Sequence, residues 1–221
     1  ALGVRVVQAE AKFVDKRTVV AGDITVKARR FVIATGSSAF VPPIPGLDKV
    51  DFLTNETIFE EEKLAGHLVI IGGGPIGMEM AQAHRRLGAE VTVIEAFSAL
   101  GKDDPETAAV VLAALRSEGI AILDNTKVVS VEKRGKSGVR VHVEGTSGAA
   151  IVDGTRLLVA AGRSANVTGL DLEKARIVYD RRGIKTGRNM KSSNRRVYAI
   201  GDVAGSLQFT HMAGYHAGLV V

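Results

Sequence analysis

The spacing of apolar and polar residues changes near residue 67, and each part of the chain predicts a different architecture. Before that point, the short apolar runs VRVVQA, KFV, TVV, ITV and RFVIA alternate with polar turns at 15–17 and 21–23. This alternation predicts an antiparallel β-meander. Prolines at 42, 43 and 45 then interrupt regular structure and indicate a passage between domains. A short acidic helix is predicted at about 55–63, with Thr54 as its N-cap.

From residue 67 onward the pattern is strand, helix, strand. The run LVIIGG is typical of a buried parallel strand, and Pro75 opens a helix that Gly88 ends. The predicted buried face of that helix consists of apolar residues at helical spacing: Ile76, Met80, Ala83 and Leu87. The next strand, EVTVIE, ends at Glu95.

A second helix, a series of strands and a final helix complete the predicted elements. Asp104 is the expected N-cap and Pro105 the first residue of the second helix, which should end near Glu118. Strands are predicted at AIL, TKVVSVEK, GVRVHVE, AAIV and RLLVAAG, with polar turns such as 134–138, and HMAGYHAGLVV predicts a helix. The resulting fold class is α/β, with a Rossmann-like parallel sheet and an antiparallel meander.

Composition supports this class and argues against others. Hydrophobic residues make up 46% of the chain, aromatic residues 5%, and glycine is frequent, as in α/β layers. The net charge of +5 comes from scattered basic pairs without interleaved aromatics or a zinc motif, so we expect no nucleic-acid partner. The longest apolar runs have strand length, which predicts no membrane span. With no recognisable leader, a cytoplasmic location is expected.

The absence of cysteine limits the chemistry that these residues can perform. With no Cys among 221 residues, the chain offers no disulfide, thiolate metal site or thiol nucleophile, and we expect no metal site. The chain starts directly in strand-like sequence and stops within a helix-like one. We therefore expect a fragment of a longer protein.

The motif Gly72-x-Gly74-x-x-Gly77 carries the strongest functional signal. It leaves a predicted strand and opens an amphipathic helix, and Glu95 ends the next strand at about the spacing of a dinucleotide fingerprint. Gly72 would permit the tight turn, Gly74 would let the pyrophosphate approach the backbone, and Gly77 would let the helix pack closely. The pyrophosphate would then lie on free N–H groups at the helix N-terminus. The alternative is an ordinary βα turn beside an exposed acid.

Glu95 predicts the choice of nucleotide. Its carboxylate can accept hydrogen bonds from the adenosine ribose hydroxyls, and it would repel a 2′-phosphate. The following Ala96 and Phe97 offer no arginine to such a phosphate. NAD is therefore preferred over NADP.

Four blocks of sequence resemble the pyridine nucleotide–disulfide oxidoreductase family, which includes dihydrolipoamide dehydrogenase and mercuric reductase. They are FVIATGS (31–37), VIIGGGPIGMEMAQAHRRLGAEVTVIE (69–95), LVAAGR (158–163) and VYAIGDVAG (197–205), in the family's order. The resemblance implies an NAD-binding domain at 47–165, flanked by two parts of a partial FAD-binding domain at 1–46 and 166–221. It also implies FAD and NAD as cofactors and a homodimeric parent protein.

The resemblance assigns two groups of binding residues. Those implied around NAD are Gly72, Gly73, Gly74, Pro75, Ile76, Gly77, Glu79, Glu95, Val128 and Gly162. Around FAD, it implies Ala11 near the adenine and Thr35, Gly36 and Ser37 near the adenosine half. It further implies Asp202 at the ribityl chain. The backbone along the flavin ring would come from Gln208, Phe209, Thr210 and His211. Asp202 also follows an apolar strand, where α/β sheets bind ligands, although a turn-capping Asp is the alternative. For Thr35 and Gly36 the alternative is a common turn.

Glu79 is the one candidate for an assisting catalytic role. The resemblance matches it to a glutamate that pairs with a lysine on the flavin side, where hydride passes from nicotinamide to flavin; such a lysine is not on this chain. A first-turn acid that complements the helix dipole is the alternative. His67 and His84 are expected at the surface.

The chain also departs from the family pattern. It lacks a second G-x-G-x-x-G for the FAD pyrophosphate and the redox-active cysteine pair, and Ala165 replaces a frequent proline. The parent is therefore expected to be an NAD-dependent flavoprotein that exchanges electrons with a disulfide, and the fragment alone to be inactive. Alternatives are a mercuric-reductase-like or quinone-reducing flavoenzyme, a non-catalytic NAD-binding module and, from the charge, a nucleic-acid binder.

Overall fold

The computed structural model describes residues 3–135, 138–205 and 208–220. Its α-helices are α1 (Pro75–Leu87), α2 (Pro105–Ser117) and α3 (Thr210–Val220). Its strands are β1 (Ala11–Asp15), β2 (Thr18–Ala21), β3 (Ile24–Lys27), β4 (Phe31–Ile33), β5 (Ser37–Ala39), β6 (His67–Ile71), β7 (Glu90–Ile94), β8 (Ala121–Leu123), β9 (Lys127–Arg134), β10 (Gly138–Gly145), β11 (Gly148–Gly154), β12 (Arg156–Val159), β13 (Arg163–Ala165), β14 (Tyr179–Asp180), β15 (Gly183–Ile184) and β16 (Val197–Ala199). Short 3₁₀ turns lie at Leu47–Lys49, Ile58–Glu60 and Gly201–Ala204.

The chain divides into two units. Residues 39–162 form one, here called the central unit, and residues 1–38 with 163–221 form the other, here called the flanking unit. The boundaries expected from sequence, 46/47 and 165/166, lie eight and three residues later in the chain than this division.

A parallel four-stranded sheet is the centre of the central unit. Its strand order is β12-β6-β7-β8, and the chain passes from β6 through α1 to β7 and through α2 to β8. Because β12 returns to the opposite side of β6, the strand order reverses beside β6. In open α/β sheets, ligands bind at the carboxyl ends of the strands where the order reverses.

The predicted antiparallel strands of this unit are confirmed. β9, β10 and β11 form a meander in the order β11-β10-β9. Its inward-facing valines, Val131, Val139, Val141 and Val143, pack with Val69, Ile71, Leu157 and Val159 of the parallel sheet. Alternate residues of β10 are buried, as expected for a sheet with one covered face. In the turn expected at 134–138, Lys136 and Ser137 lie outside the described residues.

The flanking unit contains a smaller meander and a two-stranded parallel pair. β1, β2 and β3 are antiparallel neighbours, and β4 pairs in parallel with β16. A second cluster of buried residues, including Phe13, Ile33, Leu172 and Val197, forms the core here. The predicted C-terminal helix is present as α3.

Two predictions for the first part of the chain are wrong. Residues 4–9 form no strand, and Val4 and Val6 remain 75% and 78% exposed, because the described residues offer that segment no strand partner. The run at 31–33 does form a strand, but it pairs with β16 and does not extend the meander.

Three predictions for the central unit also need correction. The acidic helix expected at 55–63 is only the 3₁₀ turn Ile58–Glu60. The buried face of α1 consists of Gly77, Met78 and Ala81, while Leu87 is 68% exposed. The side of α1 that packs on the sheet thus differs from the one predicted by apolar spacing: Met78 and Ala81 lie in one core cluster with residues of β6 and β7. His67 is half-buried in β6, where its Nε2 lies 2.9 Å from the Thr92 hydroxyl.

Within the described residues, none of the helices is long and apolar enough to span a bilayer.

Candidate dinucleotide sites

The glycine loop between β6 and α1 lies where the strand order of the parallel sheet reverses. Gly72 has a φ of +114°, a conformation that L side chains rarely adopt, and its N–H donates to Ile94 O of β7. A Cβ at Gly72 would lie 2.4 Å from Ala160 O. The loops after β6 and β12 therefore approach each other through backbone atoms alone.

Gly77 and Gly74 perform opposite roles in the same loop. A Cβ at Gly77 would lie 2.0 Å from Gly72 O, so only glycine allows the first turn of α1 to contact the strand end. Among the described residues, a Cβ at Gly74 would meet no atom within 4 Å, which leaves open space in front of the loop. Gly74 is also the N-cap of α1, and no side chain caps the first turn.

Glu95 faces the glycine loop. Its Oε2 accepts a hydrogen bond from Gly73 N–H at 2.7 Å, and its Oε1 accepts one from Phe97 N–H at 2.9 Å. A Cβ at Gly73 would lie 2.9 Å from Glu95 Cβ, so the missing side chain at Gly73 makes room for the acid. The carboxylate is thus held beside the loop by two backbone amides.

The segment after Glu95 is tied to the loop as well. Leu100 N–H donates to Gly73 O at 2.8 Å, and Ala99 N–H donates to the Asp124 carboxylate at 2.7 Å. Asn125 N–H donates to Phe97 O at 2.7 Å. The backbone at 95–100 is therefore fixed at several points.

The other residues expected around NAD also lie in the central unit. Pro75 and Ile76 open α1, and Val128 is partly buried on β9. Gly162 O, after β12, accepts a hydrogen bond from Phe40 N–H at 2.9 Å. Glu79 is exposed in the second turn of α1, so it is not the first-turn acid considered above.

In the flanking unit, the ends of β4 and β16 bring together the residues expected around FAD. Because the two strands are parallel, Ser37 and Asp202 follow them at the same edge. The Ser37 hydroxyl donates to Asp202 Oδ2 at 2.5 Å, and Arg163 Nε donates to the Ser37 hydroxyl at 2.6 Å. Arg163 Nη2 also donates to Ser37 O, and Arg163 Nε lies 3.7 Å from Asp202 Oδ2.

Thr35 and Gly36 are fixed by Asn166. The Thr35 hydroxyl donates to Asn166 O at 2.8 Å, and Asn166 Nδ2 donates to Thr35 O at 2.9 Å. Asn166 N–H donates to Gly36 O. This reciprocal set fixes the turn in which Ser37 reaches Asp202.

Ala11 and the segment 208–211 occupy separate places in the flanking unit. Ala11 lies on β1 between Glu10 and Lys12, which line a cleft of about 330 Å³ together with Ala9, Val20, Gly22 and Gly169. Gln208 and Phe209 precede α3, and Thr210 and His211 begin it.

Several residues of these sites were missed from the sequence. Arg163 and Asn166 have no helical or strand periodicity that marks them, although Arg163 ends the block LVAAGR. His216 was also missed: it is buried in α3, where its Nδ1 accepts Gly201 N–H at 3.2 Å and thereby supports the turn that carries Asp202. The described residues contain no group of three or more His, Asp or Glu placed to hold a metal.

Comparison with known proteins identifies the family of the chain. The family model for pyridine nucleotide-disulphide oxidoreductases matches residues 1–217. The chain belongs to this family. The resemblance that the sequence suggested is thereby confirmed.

Individual relatives carry related names. A mercuric reductase from Bacillus cereus is 38% identical over 219 residues, which cover 98% of this chain and 34% of that protein. A dihydrolipoyl dehydrogenase from Thermus scotoductus is 38% identical over 211 residues, covering 92% of this chain and 45% of that protein. The chain thus spans between a third and a half of these relatives.

A solved structure extends the likeness to the fold. The Cu(II) complex of the HOCl-induced flavoprotein disulfide reductase RclA from Escherichia coli matches with a TM-score of 0.91 at 29% identity. The match covers 99% of this chain and 50% of that one. This reductase therefore shares the arrangement of strands and helices described above, which confirms the α/β class.

Proposed function

We propose that the central unit binds NAD(H) in preference to NADP(H), and that the flanking unit supplies part of an FAD site, in an enzyme that moves hydride between the two. The observation that carries the proposal is the open glycine loop with Glu95 fixed against it. The proposal also assigns electron exchange with a disulfide to the whole enzyme. Because these 221 residues contain no cysteine, their part is to bind and orient the cofactors.

The glycine loop fits a pyrophosphate. Nothing lies within 4 Å of a Cβ at Gly74, so phosphate oxygens can approach the backbone there. The N–H groups of Ile76 and Gly77 open α1 without a side-chain cap, and the positive end of the helix dipole favours an anion. Pro75 has no N–H, but the first N–H groups of a helix have no acceptor within the helix, so a proline at this position removes no helical hydrogen bond.

Glu95 fits an adenosine ribose. A carboxylate has about four acceptor sites on its two oxygens, and two of them receive Gly73 and Phe97 N–H. The remaining sites can accept the 2′- and 3′-hydroxyls of NAD. A 2′-phosphate would bring like charge to the same carboxylate, which disfavours NADP.

The flanking unit fits a polyol chain such as the ribityl group of FAD. Asp202 Oδ2 accepts the Ser37 hydroxyl, and the described residues leave Oδ1 available as an acceptor. Arg163 holds Ser37 through two hydrogen bonds, which keeps the Asp202 carboxylate in one orientation. We assign the adenine side to the cleft beside Ala11, and the flavin side to the backbone at 208–211.

Nicotinamide and flavin, when bound, supply the hydride chemistry, and the protein contributes their placement and electrostatics. In this proposal Glu79, whose side chain is exposed one turn into α1, acts as an assisting residue.

The test is a binding titration of the 221-residue chain with NADH and NADPH. NADH should bind at least about tenfold more tightly, and Glu95→Arg should reduce or reverse that ratio by removing the ribose acceptor and adding a cation. Glu62→Arg, at an exposed position before the amino end of β6, makes the same charge change away from the loop, which follows the carboxyl end of that strand, and should leave the ratio unaltered. An unaltered ratio in Glu95→Arg would reject the role of Glu95, and no binding of either nucleotide would reject the proposal.

A further inference from the structure

Phe97 is an exposed aromatic side chain on a fixed loop beside the proposed NAD site. Its side chain is 74% exposed, so one face of the ring is free to contact a ligand. Its backbone, in contrast, is anchored on both sides: Phe97 N–H donates to Glu95 Oε1, and Phe97 O accepts Asn125 N–H.

The position of Phe97 follows from its contact with Glu95. The Phe97 N–H lies within hydrogen-bond distance of the carboxylate that, under the proposed function, binds the adenosine ribose. The base of a nucleoside is attached to the same sugar. An adenine whose ribose hydroxyls contact Glu95 must therefore lie within one sugar ring of this carboxylate, in the immediate neighbourhood of Phe97.

We propose that Phe97 is the stacking surface for the adenine ring of the dinucleotide. This inference rests on the proposed function and adds to it the residue that recognises the base. Stacking of a base on an aromatic side chain is favourable for any base, because each has a π-face. The fixed backbone at 95–100 lowers the ordering cost of binding, since the loop already has its hydrogen bonds.

The absence of tryptophan from the chain provides a direct test. Phe97→Trp introduces a single tryptophan at an exposed position, where the larger ring fits without burial. Titration with ADP-ribose, which has the adenosine and both phosphates but no nicotinamide, should quench its fluorescence in a saturable manner. Phe59→Trp is the matched control: Phe59 is 75% exposed, and Glu61, two residues later, pairs with Arg156 at the amino end of β12, away from the glycine loop.

Calorimetry with ADP-ribose supplies the second measurement. Phe97→Ala should weaken binding by about tenfold, whereas Phe97→Tyr and Phe59→Ala should remain within about twofold of the unsubstituted chain. Quenching confined to Phe97→Trp, together with this loss, supports the proposal.

Three results would overturn it. They are unchanged affinity in Phe97→Ala, absence of quenching in a Phe97→Trp chain that still binds ADP-ribose, and equal quenching at residues 59 and 97. Failure of the unsubstituted chain to bind ADP-ribose would instead reject the proposed function together with this inference, so the two failures can be distinguished.

Discussion

At the scale of single residues, the glycines of one loop are required for different physical reasons. Gly72 is required by its backbone conformation and by the approach of Ala160. Gly77 is required by packing, because its Cβ position is occupied by Gly72 O. Gly74 meets neither constraint, since its φ of −78° suits other residues and its surroundings are open. In the proposed NAD(H) site, the approach of the pyrophosphate would require a glycine there.

This difference predicts opposite outcomes for two alanine substitutions. Gly77→Ala should destabilise the fold by about 1–3 kcal/mol, since the added methyl group overlaps backbone. Gly74→Ala should cost at most about 1 kcal/mol, because its φ of −78° suits alanine and its surroundings are open. Its NADH affinity should nevertheless fall by about tenfold or more.

Thermal unfolding and NADH titration of both variants provide the measurements. A Gly74→Ala chain with full affinity for NADH would show that the phosphates do not pass over this residue.

At the scale of elements, the ends of α1 and α2 in the central unit are joined by one carboxylate. Arg86 donates to both oxygens of Glu118, at 2.9 and 2.8 Å, and Gln82 Nε2 donates to Oε1 at 2.8 Å. Arg85 Nε donates to Glu118 O. The sequence predicted both helices but not this link, because its residues lie more than 30 positions apart.

The link predicts how stability responds to acid. Hydrogen bonds from Arg86, and then from Gln82, hold the pKa of Glu118 below its ordinary value of 4.5. A carboxylate whose pKa is lower in the folded state contributes stability above its unfolded pKa, and this contribution is lost as the pH falls through the folded value. Glu118→Gln should therefore lower the unfolding temperature at neutral pH and reduce its further decrease below about pH 4.5.

Unfolding temperatures measured across this pH range test the link. Glu144→Gln, at an exposed strand position, is the control and should follow the unsubstituted chain. If the unfolding temperature of Glu118→Gln also depends on pH as that of the unsubstituted chain does, the hydrogen bonds at the helix ends do not contribute to acid stability.

At the scale of the whole molecule, the two units are not equally equipped to bind a dinucleotide. The central unit contains the strand, glycine loop and helix, together with Glu95, to which we assign the ribose. The flanking unit contributes Ser37, Asp202 and the cleft beside Ala11, but the chain has no second G-x-G-x-x-G motif. The cradle for a second pyrophosphate is thus absent from these 221 residues.

We therefore expect the purified chain to bind NADH but to retain little FAD. The visible absorption of the purified chain, measured against its protein concentration, gives the flavin content directly. Stoichiometric flavin would contradict this prediction, because the flanking unit would then hold FAD without a glycine cradle.

The sequence predicted most elements of the central unit, because local patterns specify them. Apolar runs of strand length, Pro75 and Pro105 at helix starts, and Gly88 at a helix end act within a few residues, and the structure confirms each of them. The Asp104 cap is confirmed by its hydrogen bonds to Glu106 and Thr107 N–H. The local pattern was insufficient where the outcome depends on another element. Residues 4–9 would have needed a neighbouring strand to pair with, and the buried face of α1 depends on how the helix packs on the sheet.

By itself, the sequence determined the glycine motif, the strand before it, the helix after it and the acid at the end of the next strand. These features follow from local causes, because the conformational freedom of glycine and the spacing of apolar residues act within a few residues of the chain. Tertiary structure decided which face of α1 is buried, that β4 pairs with β16, and that Arg163 joins Ser37 to Asp202. It also left Phe97 exposed beside Glu95. These features depend on contacts between residues distant in the chain or on packing against other elements, and periodicity along the chain does not specify them.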